Sequence, residues 1–184
     1  LGLSRRDRPR PARRPCFTND LEPDFLSEDS HEVLLDAGRM ERLRRFFTGH
    51  AIPPTVFVVG RMLEQALPVR ERFAGIDAEF ELHSWSHRVD APDSEEEIVR
   101  GAEAFERYFG RPPRGYRAPL GRISAAGIAT LARLGFAYDA SVFPTRPPAT
   151  TSPLFRRLPG AGASSRASSR SRSPSPPLSA SSCR

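Results

Sequence analysis

The chain contains no lysine; all 28 of its basic residues are arginine. It also has only two cysteines, two methionines, one tryptophan and four histidines. Each shortage narrows the reading. Cys16, in an apolar run, and Cys183, near the end, make no disulfide framework, which leaves the compartment open. There is no run of about eighteen apolar residues, so no transmembrane helix is expected. The start, "LGLSRRDRPRPARRP", has no apolar segment of signal-peptide type. Localisation therefore stays unassigned. What remains is 184 residues, enough for one domain with a core of its own.

Charge is distributed unevenly. The formal net charge is +6, but residues 1–15 carry six Arg and one Asp, and residues 156–184 carry six Arg and no acid. The middle, 16–155, is left with 16 basic and 21 acidic residues, a net of −5. A mildly acidic core with basic tails offers no broad nucleic-acid face. The division expected is a flexible basic segment at 1–14, a folded domain at 15–155 and a Ser/Arg/Pro-rich disordered tail at 156–184. That tail reads either as a genuine interaction segment, with salt-sensitive RNA binding, or as out-of-frame translation. The absence of Lys beside 28 Arg fits a GC-rich source and favours the second.

Within the domain, extended and helical patterns alternate. Strands are expected at 15–20, 54–60, 78–82, 114–119 and 136–143. Helices are expected at about 36–48 (Met40, Leu43, Phe46 and Phe47 inward) and 61–73 (Met62, Leu63, Ala66 and Leu67 inward). A third opens on a Ser94/Glu97 capping box, runs to Phe109 and buries Ile98, Ala102, Phe105 and Phe109; a fourth runs from Ser124 to Leu134 and stops at Gly135. This is an α/β pattern of about five βα units with a parallel sheet, either open or an incomplete barrel.

Ligands of parallel α/β folds meet the C-terminal ends of the strands. The unusual residues fall there: Asp20 and Glu22 after the first strand, His83 and His87 after the third, Arg117 after the fourth and Asp139 after the fifth. A lone HxxxH more often marks ordinary histidines, but acids at a neighbouring strand end reverse the balance in favour of a two-His-one-carboxylate metal site. Paired carboxylates suit a division of labour, one on a metal and one taking a proton from water, although a solvated acidic loop has the same composition. Arg117, stiffened by Pro119, would fix a carboxylate, with Asp139 as a natural partner. Trp85 reads as a sugar-stacking platform or as a lid over the metal.

Taken together, His83-Ser84-Trp85-Ser86-His87, Arg117-Ala118-Pro119-Leu120-Gly121, the "TNDLE" segment and "GFAYDASVFP" resemble the polysaccharide deacetylase (NodB-homology) superfamily, carbohydrate esterase family four, in its branch with a D-x-E first motif. The order and spacing agree across roughly 16–145. The resemblance implies an incomplete, distorted (β/α) barrel and a divalent metal, most often Zn2+, held by Glu22, His83 and His87. It implies Asp20 as the base, oriented by Arg117 with Asp139. It places Trp85, Tyr116 and Pro119 at the substrate, and a backbone N–H near Trp85 or Ser86 on the oxyanion. The reaction implied is hydrolysis of a carbon–nitrogen bond, removing N-acetyl groups from an amino-sugar polymer such as peptidoglycan or chitin. Two departures stand out: no His follows His87 to protonate the leaving amine, and the last strands of the barrel have no counterpart. The expectation is a truncated chain with weak or absent turnover. The competing readings are a hydrolase of a small cyclic amide and a non-catalytic carbohydrate-binding relic.

Overall fold

The computed structural model describes residues 16–24 and 29–142, together with the backbone of a short strand at Arg156–Arg157. The 1–14 segment and, apart from that strand, the 156–184 tail lie outside the described residues. Five strands run parallel: β1 (Thr18–Leu21), β2 (Thr55–Val58), β3 (Glu79–Leu82), β4 (Gly115–Tyr116) and β5 (Tyr138–Asp139). The Arg156–Arg157 strand, β6, pairs antiparallel with β5. The strands lie side by side in chain order, β1 to β6. A doubly wound sheet reverses its order at a switch point, whereas a barrel wall grows in sequence. The sheet is therefore the wall of an incomplete barrel, and among the described residues it does not close.

One face of the wall is covered by helices: α1 (Glu32–Leu35), α2 (Ala37–Gly49), α3 (Gly60–Glu64), α4 (Val69–Arg72), α5 (Glu95–Phe109) and α6 (Ala125–Arg133). Val56, Val58, Leu82 and Tyr116 point into this layer and meet Met62, Ile98, Phe105 and Leu131 in one apolar core. The other face carries Phe57, which clusters with Tyr138 and Ala140. Asp20, Phe57 and Glu81 stand opposite one another in register, so they share that second face. Tyr138 lies over Gly115, where a Cβ would sit 2.2 Å from the ring's Cζ. Only glycine admits the ring there.

Most helix limits match the sequence pattern because local capping chemistry sets them. The Ser94 and Ser124 hydroxyls accept from the amides of Glu97 and Gly127, and α5 ends on Gly110 with φ +71°. Three expectations need correction. The 61–73 helix is two pieces, α3 and α4, because Pro68 has no N–H to continue the ladder and Ala66 turns left-handed at φ +54°. Ala66 is consequently exposed. Phe46 is also exposed and packs edge-on against Phe17 rather than in the core. Glu97 opens no capping box, since its carboxylate binds elsewhere.

Glu81 is fully buried on the second face, its Oε2 accepting from the amides of Arg114 and Gly115 at 2.6 Å each. Burial outweighs these donors and raises its pKa to about 7. The folded value lies above the ordinary 4.5, so proton binding favours the folded chain. That contribution is intact below about 4.5, declines as pH rises and is gone above about 7. Glu81→Gln keeps an amide oxygen for both donors and removes the titration. Urea midpoints followed from about pH 5 to about pH 8 should fall more steeply for wild type than for the variant. Phe105→Ala, which empties a fully buried position between α5 and the sheet, should cost about 3–5 kcal/mol in the same assay.

Candidate metal centre

β3 ends at Leu82, and His83 follows with its amide still held by the Val58 carbonyl of β2. The imidazole is buried, with Nδ1 2.7 Å from the Arg117 carbonyl. A carbonyl only accepts, so the proton belongs on Nδ1, and Nε2 presents its lone pair to the site. The chain then turns sharply. Ser84 and His87 both adopt left-handed backbone, at φ +58° and +63°, and the His87 amide is held by the Ser84 hydroxyl. These turns bring the His87 ring to 5.1 Å from that of His83, centroid to centroid.

Glu22, just past β1, completes the group. Its Oε2 lies 2.5 Å from His87 Nε2 and 3.9 Å from His83 Nε2. Ligand atoms of all three residues lie within 4.8 Å of one another. The His87 hydrogen bond holds the Glu22 carboxyl below its usual range, and the same contact raises His87. Burial lowers His83, which keeps it the neutral ligand. An imidazolium against a carboxylate is an arrangement that a divalent cation can replace. Two imidazole Nε2 atoms and one carboxylate fit zinc-type coordination and leave positions open to the solvent side. Side-chain exposure rises from 3 % at His83 to 24 % at His87 and 42 % at Glu22, so the open side faces outward.

Asp20 is separate from this triad and belongs to Arg117. The buried guanidinium donates to Asp20 Oδ1 at 2.7 Å, to Thr18 Oγ1 at 2.9 Å and to the Ala140 carbonyl at 3.2 Å. Its plane lies over Phe57, 4.3 Å from the ring centre. Asp139 reaches the arginine loop through Ser141: it accepts the Ser141 hydroxyl proton at 2.6 Å, and that hydroxyl accepts from the Ala118 amide at 2.8 Å. Pro119 is buried at the start of a 3-10 turn that leaves Leu120 exposed, with φ +56°.

The structure does not bring every expected residue to the site. Tyr116, expected at the substrate, lies in the core with no exposure, and its hydroxyl donates to the Pro92 carbonyl. Trp85 turns toward the helices: Nε1 donates to Glu64 on α3, and the Arg100 guanidinium covers one ring face at 3.4 Å. The amides of Trp85 and Ser86, expected on an oxyanion, both donate to the Glu97 carboxylate. The sequence pattern does not mark Thr18, Ser141 or Glu97 as site residues. Ser141 lies two residues beyond Asp139, but nothing in "DASVF" distinguishes its hydroxyl from any surface serine.

The fold has counterparts among known proteins. The family model described as polysaccharide deacetylase matches residues 29–138, more than half the chain. The chain belongs to the polysaccharide deacetylase family. A candidate polysaccharide deacetylase from Mycobacterium smegmatis has a similar solved structure, 26% identical, TM-score 0.55, with 69% of this chain aligned to 50% of that one. A Streptococcus pyogenes deacetylase in complex with acetate aligns at 14% identity and TM-score 0.51, covering 68% and 55% of the two chains. A CE4 family pseudoenzyme from Bacillus anthracis aligns at 13% and 0.50, covering 66% and 41%. The last two likenesses concern the fold alone. No curated protein matches the sequence. The chain spans about half the length of the solved structures it matches. Among the described residues, no helix is long and apolar enough to cross a membrane.

The Ser141 relay gives a direct test. Ser141→Ala leaves the buried Ala118 amide without its hydroxyl acceptor and removes the hydroxyl arm, though not the Ser141 amide, from Asp139. The loss should be about 1–3 kcal/mol of unfolding free energy in denaturant titration.

Proposed function

We propose that this chain carries the metal-binding and base-bearing part of a metal-dependent hydrolase that removes N-acetyl groups from an amino-sugar polymer such as peptidoglycan or chitin. The observation that carries the reading is the convergence of Glu22, His83 and His87 within 4.8 Å, with the His83 Nδ1 proton assigned by the Arg117 carbonyl. These three residues would hold the ion, most suitably Zn2+. When bound, the ion supplies Lewis-acid polarisation of the acetyl carbonyl and a lowered pKa for water. Asp20 is the base that takes the proton of the attacking water. Arg117, bonded to Asp20 at 2.7 Å, holds that carboxylate at one point on the rim. Asp139 acts one step back, holding the Ala118 amide through Ser141.

Family membership supports a hydrolase of this kind, and the division of the carboxylates supports the assignment of roles. One acid faces the imidazoles and the other faces a guanidinium. The base is thus hydrogen-bonded to the guanidinium while the ligand acid is left for coordination.

The test uses the full chain, the His83→Ala/His87→Ala double variant and Asp20→Asn. The wild type should hold about one zinc per chain and the double variant none. Asp20→Asn should keep its zinc and lose acetate release from N-acetylglucosamine oligomers by about 10²–10⁴-fold relative to wild type. A folded wild-type chain that binds no divalent metal would overturn the reading. Zinc binding with no acetate release from any variant would leave a carbohydrate-binding domain without turnover.

A further inference from the structure

Glu97 stands on α5 and is 2 % exposed, yet its side chain does not complete a capping box. Its carboxylate crosses to the turn between the two histidines. Oε2 accepts from the Trp85 amide at 3.1 Å and the Ser86 amide at 2.8 Å, and Oε1 accepts from the Ser86 hydroxyl at 2.6 Å. Trp85 and Ser86 are the two residues flanked by Ser84 and His87, whose left-handed backbones bend the chain on either side. Such backbone is costly for L-amino acids and persists only where the surroundings impose it.

We propose that Glu97 is a positioning residue for the metal ligands: by gripping Trp85 and Ser86 it fixes the separation and orientation of His83 and His87. The proposal rests on the metal-binding reading above. α5 is a suitable anchor because it is itself fixed against the sheet. Ile98 and Phe105 are fully buried beside Leu82, and Gly101 approaches so closely that a Cβ there would meet the Ser84 carbonyl carbon at 3.0 Å. Position thus passes from the core to α5, from α5 to Glu97, and from Glu97 to the turn. His83 is held independently, by the Val58 carbonyl at its amide and the Arg117 carbonyl at its ring. Among the described residues the His87 amide is held by the Ser84 hydroxyl, and the Gly60 and Arg61 amides hold the Ser84 and Trp85 carbonyls, short of His87. The grip of Glu97 therefore matters most for the placement of His87.

The experiment measures zinc dissociation constants and the visible spectrum of the Co2+-loaded full chain, for wild type and three variants, with melting temperatures on the same samples. Glu97→Ala should weaken zinc binding by about 10–100-fold, as supporting residues of metal ligands do, and should alter the Co2+ spectrum. Glu97→Gln keeps an amide oxygen for the backbone donors and should stay within about threefold of wild type. Ser86→Ala, which removes only the hydroxyl arm, should fall between them. A merely structural role would lower the melting temperature and leave the affinity and spectrum of the folded protein unchanged. Glu97→Ala with wild-type affinity and spectrum overturns the proposal. If Glu97→Ala does not fold, Ser86→Ala decides: wild-type affinity there rejects the positioning role, and weakened affinity sustains it. A wild type that binds no zinc overturns the metal reading itself, and this proposal with it. A zinc-binding wild type matched by all variants overturns this proposal alone.

Discussion

The buried guanidinium of Arg117 is the contact on which the rest of this rim depends. Its side chain reaches Thr18 and Asp20 of β1 and the Ala140 carbonyl just past β5, while its amide bonds the Leu82 carbonyl of β3. A single residue thus ties together strands far apart in the chain. Removing a guanidinium from water costs several kcal/mol and is tolerated only when its donors are satisfied. Here Asp20 supplies the compensating charge, Thr18 and Ala140 supply neutral acceptors, and Phe57 supplies a π face. The same residue offers its carbonyl to His83, so one position aligns both the base and a metal ligand.

The second constraint is conformational. Three of the non-glycine residues with positive φ, Ser84, His87 and Leu120, lie in the two loops that build the rim. Strain of this kind is sustained by what surrounds it. Around the histidine turn that support is a buried carboxylate and two glycines in close contact, Gly60 and Gly101, where a Cβ on the first would meet the Cα of the second at 3.0 Å. Around the arginine turn it is the Asp139–Ser141 relay. Glu97 and Gly101 follow the histidine turn in sequence and the Asp139–Ser141 pair follows the arginine turn, so each loop takes its final shape only after later chain has packed.

Much of this was legible in the residues alone. Apolar and alternating runs marked the strands, serine caps marked α5 and α6, and the placing of Asp20, Glu22, His83, His87, Arg117 and Asp139 at strand ends marked the rim. These features are readable because they depend on local chemistry: capping, β-branching, and the period of side chains along an element. The errors have a common origin. Glu97 stands three residues after a serine, which is the pattern of a capping box, and locally nothing contradicts it. Tyr116 and Trp85 are aromatic residues beside a site, and sequence does not say which way a ring turns.

Directions across the sheet depend on tertiary packing. The register that puts Asp20, Phe57 and Glu81 on one face follows from pairing between strands more than twenty residues apart. The same pairing buries Glu81 and lifts its pKa to about 7, although "AEFEL" gives no hint of either. The sequence alone carried the identities of the donor atoms and their order along the chain, since chemistry belongs to the residue. Packing assigned the partners, with Asp20 to the guanidinium, Glu22 to the imidazoles and Glu97 to the turn between them. A carboxylate's role is set by which charges and amides the fold brings within about 3 Å of it, and those lie remote in sequence.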